Sequence, residues 1–239
     1  MACAQQWALL CLLVSRNVVL VCADFKDPPP WSAQVVVPGG TCEGSLIHPQ
    51  VLLTAAHCVS ALAKHSTNPQ KIDVEAITVH PQFGNPGANV SLSRAVFDVA
   101  LLRLARLAPV SPIALTTQPG REGQVCHFST PIKTGEVLIE SEDFCHFPPG
   151  LICAHNIHNT RACKGDSGSG LFCADELGQG VLQGILRGSE PCNYDMENPS
   201  VAFVDVFGHV EWIREALQTL LHRDTLHTVQ VAPPPNIHH

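Results

Sequence analysis

The sequence predicts an all-β fold, a barrel or sandwich of short strands, with one α-helix near its C-terminal end. Three observations predict it. Apolar runs of roughly four to eight residues, rich in Val, Ile or Leu, recur along the chain. Clusters of Pro, Gly, Asn and Ser separate them, notably Pro38-Gly39-Gly40 and Gly84-Asn85-Pro86-Gly87. Apolar residues at helical spacing occur only near the end. No alternation of strand and helix is visible, which argues against a parallel α/β sheet. At 239 residues and 45% hydrophobic content, the chain suits one barrel-type domain or two small ones.

In chain order, residues 1–23 read as a secretory leader. Ala8–Val14 is a short apolar run, too short to span a bilayer, and Arg16 argues against an anchor. Val21-Cys22-Ala23 is the expected cleavage site, leaving Asp24 first. The leader carries no Lys or Arg ahead of its apolar run. The domain is expected over 24–223. A proline-stiffened entry, 24–30, precedes the expected strands Ala33–Val37, Ser45–Ile47, Val51–Ala55, Ile72–Val79, Val99–Leu104, Glu136–Ile139, Gly170–Phe172, Val181–Leu186 and Val201–Val206. Val210, Ile213, Leu217, Leu220 and Leu221 then fall on one helical face. Residues 224–239, with Pro233-Pro234-Pro235, read as a disordered tail.

Charge and cysteine content narrow the class. The net charge is -7 and no Lys/Arg-rich run appears, so a nucleic-acid partner is not expected. Of 11 cysteines, three lie in the leader. The other eight, Cys42, Cys58, Cys126, Cys145, Cys153, Cys163, Cys173 and Cys192, suit a disulfide framework in an oxidising compartment. They allow on the order of a hundred pairings, so spacing alone chooses none. Asn89-Val90-Ser91 is a glycosylation sequon, consistent with an extracellular location. No ligand spacing such as CxxC or HExxH accompanies His155 and His158, and no phosphate loop is present. Neither a metal nor a cofactor is expected.

Three segments carry chemistry. Gly165-Asp166-Ser167-Gly168 offers a serine in a glycine-flanked turn, where backbone N–H groups can face a developing oxyanion. Alone it would also read as a polar β-turn. Leu53-Thr54-Ala55-Ala56-His57-Cys58 places a histidine after an apolar run, and histidine suits proton transfer near neutral pH. Phe97-Asp98-Val99-Ala100-Leu101-Leu102 opens an apolar strand with one carboxylate, which must be paired or solvated. Orienting His57 would supply that pairing, and a serine hydroxyl needs such a base.

The order His57, Asp98, Ser167 and the segments TAAHC, DVALLRL and GDSG together resemble the trypsin-like (chymotrypsin family) serine proteases. So do Pro30-Trp31, Gly44-Ser45-Leu46-Ile47 and Glu211-Trp212-Ile213. The resemblance spans roughly Pro30 to Leu221. It implies two six-stranded antiparallel β-barrels with the site between them, and a C-terminal α-helix. It implies a serine-type endopeptidase: Ser167 as nucleophile, His57 as base, Asp98 as its orienting acid, and the N–H groups of Gly165 and Ser167 as the oxyanion hole. It also implies the bridges Cys42–Cys58, Cys126–Cys173, Cys145–Cys153 and Cys163–Cys192. A protein or peptide substrate, protease inhibitors as further partners, no membrane span and a monomeric state follow from the same resemblance.

Four departures from the family stand out. A freed N-terminal ammonium usually pairs with the aspartate before the nucleophile, here Asp166, but cleavage after Arg16 would expose Asn17, a poor insert. Cys126-His127-Phe128-Ser129 stands where a Gly-Trp-Gly segment is usual, and the stretch from Asp98 to Ser167 is short, so loops are expected to be truncated. Gly168-Ser169-Gly170 replaces Gly-Gly-Pro. The substrate pocket would hold Arg161, Arg187, Gly188 and Ser200, which argues against trypsin-like preference and suggests an acidic side chain at the cut. The expected function is secreted peptide-bond hydrolysis through an acyl-enzyme. The alternative is a catalytically impaired homologue acting as a binding or regulatory module in a proteolytic cascade.

Overall fold

The computed structural model describes residues 29–37, 40–60, 72–130, 133–157, 162, 165–188 and 200–226. Twelve strands are described: β1 (Ser32–Val37), β2 (Gly40–His48), β3 (Val51–Thr54), β4 (Val74–Val79), β5 (Ala100–Leu104), β6 (Ala114–Leu115), β7 (Val125–Thr130), β8 (Lys133–Ile139), β9 (Leu151–Asn156), β10 (Gly170–Ala174), β11 (Gly180–Gly188) and β12 (Ser200–Asp205). The helices are α1 (Ala56–Val59), α2 (Val90–Val96), α3 (Glu142–Cys145) and α4 (Val210–Leu226).

Strands β1 to β5 form one antiparallel sheet in the order β1-β2-β3-β5-β4. Strands β7 to β12 close into a six-stranded antiparallel barrel, because β10 pairs with both β7 and β11. The short β6 adds to β11 in parallel. The second unit is thus the expected six-stranded barrel. The first unit has five strands among the described residues, and 61–71 lies outside them.

Two cores explain the apolar runs. The barrel interior holds Phe128, Val137, Ile139, Leu171, Leu186, Val201 and Phe203. A second core joins the five-stranded sheet to the outer face of the barrel and takes in Leu53, Leu101, Phe172, Val204 and Ile213. Alternate residues of β10 and β12 enter different cores, since side chains along a strand point to opposite faces. Both faces are covered, so β12 buries four successive residues and reads as a continuous apolar run. Trp31 packs edge-on against Phe172 across the junction, with ring centroids 5.7 Å apart.

Helix α4 docks on the first sheet through Val210, Ile213, Ala216 and Leu220, close to the expected face. Buried Arg103 of β5 donates to the Leu220 carbonyl at 3.2 Å and pins the helix there. The helix runs to Leu226, since Arg223-Asp224-Thr225-Leu226 contains neither Gly nor Pro and continues the hydrogen-bonded spiral. Three bridges are formed as expected: Cys42–Cys58, Cys126–Cys173 and Cys145–Cys153. Cys163 and Cys192, like residues 1–23, lie outside the described residues.

Candidate active site

The junction of the two units brings the sequence-selected residues together. Strand β3 is buried along its whole length and delivers the chain into α1, which carries His57 out to the surface. Residue Asp98 lies just ahead of β5, the neighbour of β3. It is almost wholly buried, and both of its oxygens go to His57. Oδ1 accepts the His57 backbone N–H at 2.7 Å. Oδ2 faces Nδ1 of the ring, also at 2.7 Å. A carboxylate at Nδ1 places the proton of a neutral imidazole on that nitrogen and leaves the lone pair on Nε2. The double contact also supplies the pairing that a buried carboxylate requires.

Ser167 sits in a tight turn laid against β2. Its carbonyl accepts the Glu43 N–H at 2.8 Å. The Asp166 carbonyl accepts the Ser169 N–H at 3.0 Å, and the Gly168 N–H donates to Leu186 of the barrel at 2.7 Å. The turn is therefore tied to both units. Gly168 has φ +89°, and a Cβ there would collide with the Glu43 carbonyl and Thr54 Oγ1, so only glycine fits. Gly165 has φ +106° with open space around it. Among the described residues, the N–H groups of Gly165 and Ser167 have no internal acceptor, as an oxyanion site requires.

The Cys42–Cys58 bridge sits beside the His57 ring and the Ser167 backbone. Its Cys58 Sγ lies 3.6 Å from His57 Nε2 and 3.9 Å from the Ser167 carbonyl oxygen. No hydrogen bond joins Ser167 to His57. The two sulfurs gathered with His57 are bonded to each other, so they are not thiolates that could hold a metal.

A cleft of about 430 Å³ opens beside the histidine, lined by His57, Ser60, Phe83, Arg94, Asp98 and Arg187. Arg187 reaches it through a β-bulge: Leu186 pairs with Phe203 and Gly188 with Ala202, leaving Arg187 as the extra residue. Arg94 comes from α2, whose start is capped by the Asn89 side chain accepting the Leu92 N–H at 3.1 Å. Among the described residues neither arginine makes an ion pair. Of the other expected pocket residues, Gly188 and Ser200 belong to β11 and β12 but do not line this cleft, and Arg161 lies outside the described residues.

Three residues that sequence reasoning missed shape the site. Arg94 had no signal beyond its charge. Glu43 and Lys133 lie beneath the serine turn. Glu43 is buried, and burial, reinforced by the nearby Asp166 carboxylate, pushes its carboxyl up to about 7. Lys133 pairs with Asp166, Nζ to Oδ2, at 2.5 Å. Ser169 is completely buried and its hydroxyl has no partner, so the Gly-Ser-Gly variation is accommodated sterically but not by a hydrogen bond.

A closed barrel and a second sheet that present a clamped histidine beside a serine turn belong to the class of serine-type hydrolases. Comparison with known proteins makes the class specific. The Trypsin family profile matches residues 24–213, and the chain belongs to that family of serine endopeptidases. It is 29% identical to kallikrein-1E2 of Equus caballus, over 81% of this chain and 87% of that protein. It is 31% identical to the snake venom serine protease Haly-2 of Gloydius brevicauda, over 75% of this chain and 79% of the relative. Among solved structures it resembles neuropsin, a serine protease expressed in the limbic system of mouse brain. That match has a TM-score of 0.62 and 27% identity, over 79% of this chain and 94% of the other. No helix among the described residues is long and apolar enough to cross a membrane.

Proposed function

We propose that this chain is a secreted serine endopeptidase that cuts peptide bonds through an acyl-enzyme on Ser167. The observation that carries the reading is the double hold of buried Asp98 on His57, which fixes the ring and leaves Nε2 as a base. His57 takes the Ser167 hydroxyl proton as Oγ attacks the scissile carbonyl. The same ring then passes that proton to the leaving amine. Asp98 stays ionised and stabilises the imidazolium. The N–H groups of Gly165 and Ser167 receive the oxyanion. A water activated by His57 then hydrolyses the ester and frees the serine. This route requires a Ser167–His57 hydrogen bond in the complex with substrate.

The substrate is a protein or peptide. The cleft beside His57, lined by two arginines, supports acidic side chains near the cut. The three bridges support an extracellular setting. Asn89 is exposed, and the cap that it provides uses only its Oδ1, which leaves the amide nitrogen for a glycan. We further place the mature start at Asp24 and read the enzyme as a monomer open to protease inhibitors.

A fluorophosphonate probe tests the proposal. The purified protein is expected to label on Ser167, as located by peptide mass mapping, and Ser167→Ala is expected to abolish labelling. Equal labelling of the two proteins, or none in any processed form, would overturn it.

A further inference from the structure

We infer that Lys133 is the positioning residue of the nucleophile turn: its ammonium is a counter-charge of Asp166 that does not depend on a chain terminus freed by cleavage, so the turn is set without proteolytic activation. This rests on the reading of Ser167 as the nucleophile.

Asp166 immediately precedes Ser167 and is 8% exposed. A buried carboxylate at that point needs a cation, or it drags the turn toward water. Lys133 Nζ supplies one at 2.5 Å from Oδ2. The lysine is well placed for it. It opens β8, and only 131–132 separate it from the end of β7. Its backbone is fixed there: the Lys133 N–H donates to Thr130 Oγ1 at 3.2 Å, and Thr130 Oγ1 donates to the Lys133 carbonyl at 3.3 Å. The abbreviated hairpin is what brings a side chain from the barrel rim under the serine turn. The lysine is about one-quarter exposed, so its charge acts in a poorly screened setting.

A second carboxylate strengthens the argument. Glu43 is 4% exposed, and its own N–H holds the Ser167 carbonyl. Its charge is coupled to both Asp166 and Lys133. One ammonium thus pairs with Asp166 and acts on the charge of Glu43. Without it, Asp166 and Glu43 would repel across the segment that must hold the Gly165 and Ser167 N–H groups still. The ion pair ties the Asp166 side chain to the start of β8, while its carbonyl closes the turn by accepting the Ser169 N–H.

The test uses the full chain bearing an uncleaved N-terminal extension, with the extension verified by intact mass. Rates of fluorophosphonate labelling, and kcat and KM on a peptide substrate, are read for the unaltered protein, Lys133→Ala, Lys133→Arg and Ser167→Ala. The uncleaved protein is expected to label. Lys133→Ala is expected to lose at least about tenfold in labelling rate and kcat, with KM changed less than about threefold, because the oxyanion donors act in the transition state. Lys133→Arg is expected to retain most of the rate, and millimolar ethylammonium to restore Lys133→Ala. If Lys133→Ala does not fold, rescue of folding and labelling by ethylammonium, or retention by Lys133→Arg, supports the inference equally, and failure of both overturns it. Undiminished labelling of a folded Lys133→Ala would overturn the inference and leave the proposed function standing. So would labelling of the unaltered protein only after its N-terminus is trimmed. Absence of labelling in every form would fell both.

Discussion

Glu43 makes a pH-dependent contribution to stability that can be worked from its surroundings. It is buried beneath the serine turn, and Oε2 has no hydrogen-bond partner. Burial first, and the Asp166 carboxylate second, raise its carboxyl from 4.5 to about 7, against the pull of a Gln34 hydrogen bond and the Lys133 charge. Below the unfolded value, Glu43 is protonated in both states and costs nothing. As pH rises from 4.5 towards 7, the native state holds a proton that the unfolded chain has lost. Native stability therefore falls through that window and stays reduced above it. The size of the shift corresponds to about 3 kcal/mol above neutral pH. Glu43→Gln keeps the shape and removes the charge. It is expected to match the parent near pH 4 and to exceed it by about 3 kcal/mol near pH 8, with unchanged m-values, in urea titrations of the oxidised proteins. A gap of the same size at both pH values would trace the effect to packing and refute the electrostatic account. A less stable Glu43→Gln at pH 8 would refute it more directly.

Two further outcomes bear on the chemistry. Asp98→Asn is expected to lower the labelling rate at neutral pH by about four orders of magnitude, the loss measured for the same change in the best-studied proteases of this fold, because an amide can donate to Nδ1 and force the wrong tautomer; a loss below about tenfold would detach Asp98 from catalysis. Peptides with Asp or Glu near the cut are expected to be cleaved faster than matched Lys or Arg peptides, and Arg94→Glu and Arg187→Glu should each erode the preference by about fivefold in kcat/KM, the upper range for an exposed ion pair; a parent enzyme fastest on Arg peptides would remove the cleft from specificity.

Much of the architecture was legible in local pattern. The nine expected strands all correspond to strands of the structure, since a run such as Val201–Val204 buried on both faces cannot be mistaken for a loop. Three strands were missed. The apolar signal of β7 is interrupted by His127, Ser129 and Thr130, the first of which meets Glu136 of β8 at 3.2 Å. In β9 it is diluted by His155 and Asn156, the first of which pairs with Glu140 at 2.6 Å. The third, β6, has two residues and no pattern to read. The short helices were missed for a related reason: α1 and α3 are single turns without periodicity, and the first residues of α2 are exposed.

The site divides along the same physical line. His57, Asp98 and Ser167 were legible because each stands in a segment whose neighbours are constrained too: a buried strand before the histidine, an apolar strand after the aspartate, glycines about the serine. A counter-ion carries no such surroundings. Any of the 14 Lys and Arg residues could have faced Asp166, and nothing local to Lys133 distinguishes it. The contact is fixed instead by connectivity, because with two residues between β7 and β8 the first side chain of β8 meets the end of the barrel that faces the serine turn. The same shortening read from the sequence as loss of a loop is, in three dimensions, the gain of an ammonium. Charge at this turn is thus set by a length, which a motif cannot record. A longer β7–β8 connection inserted without altering Lys133 would separate the pair, and the rate of Ser167 labelling is expected to fall as it does in Lys133→Ala.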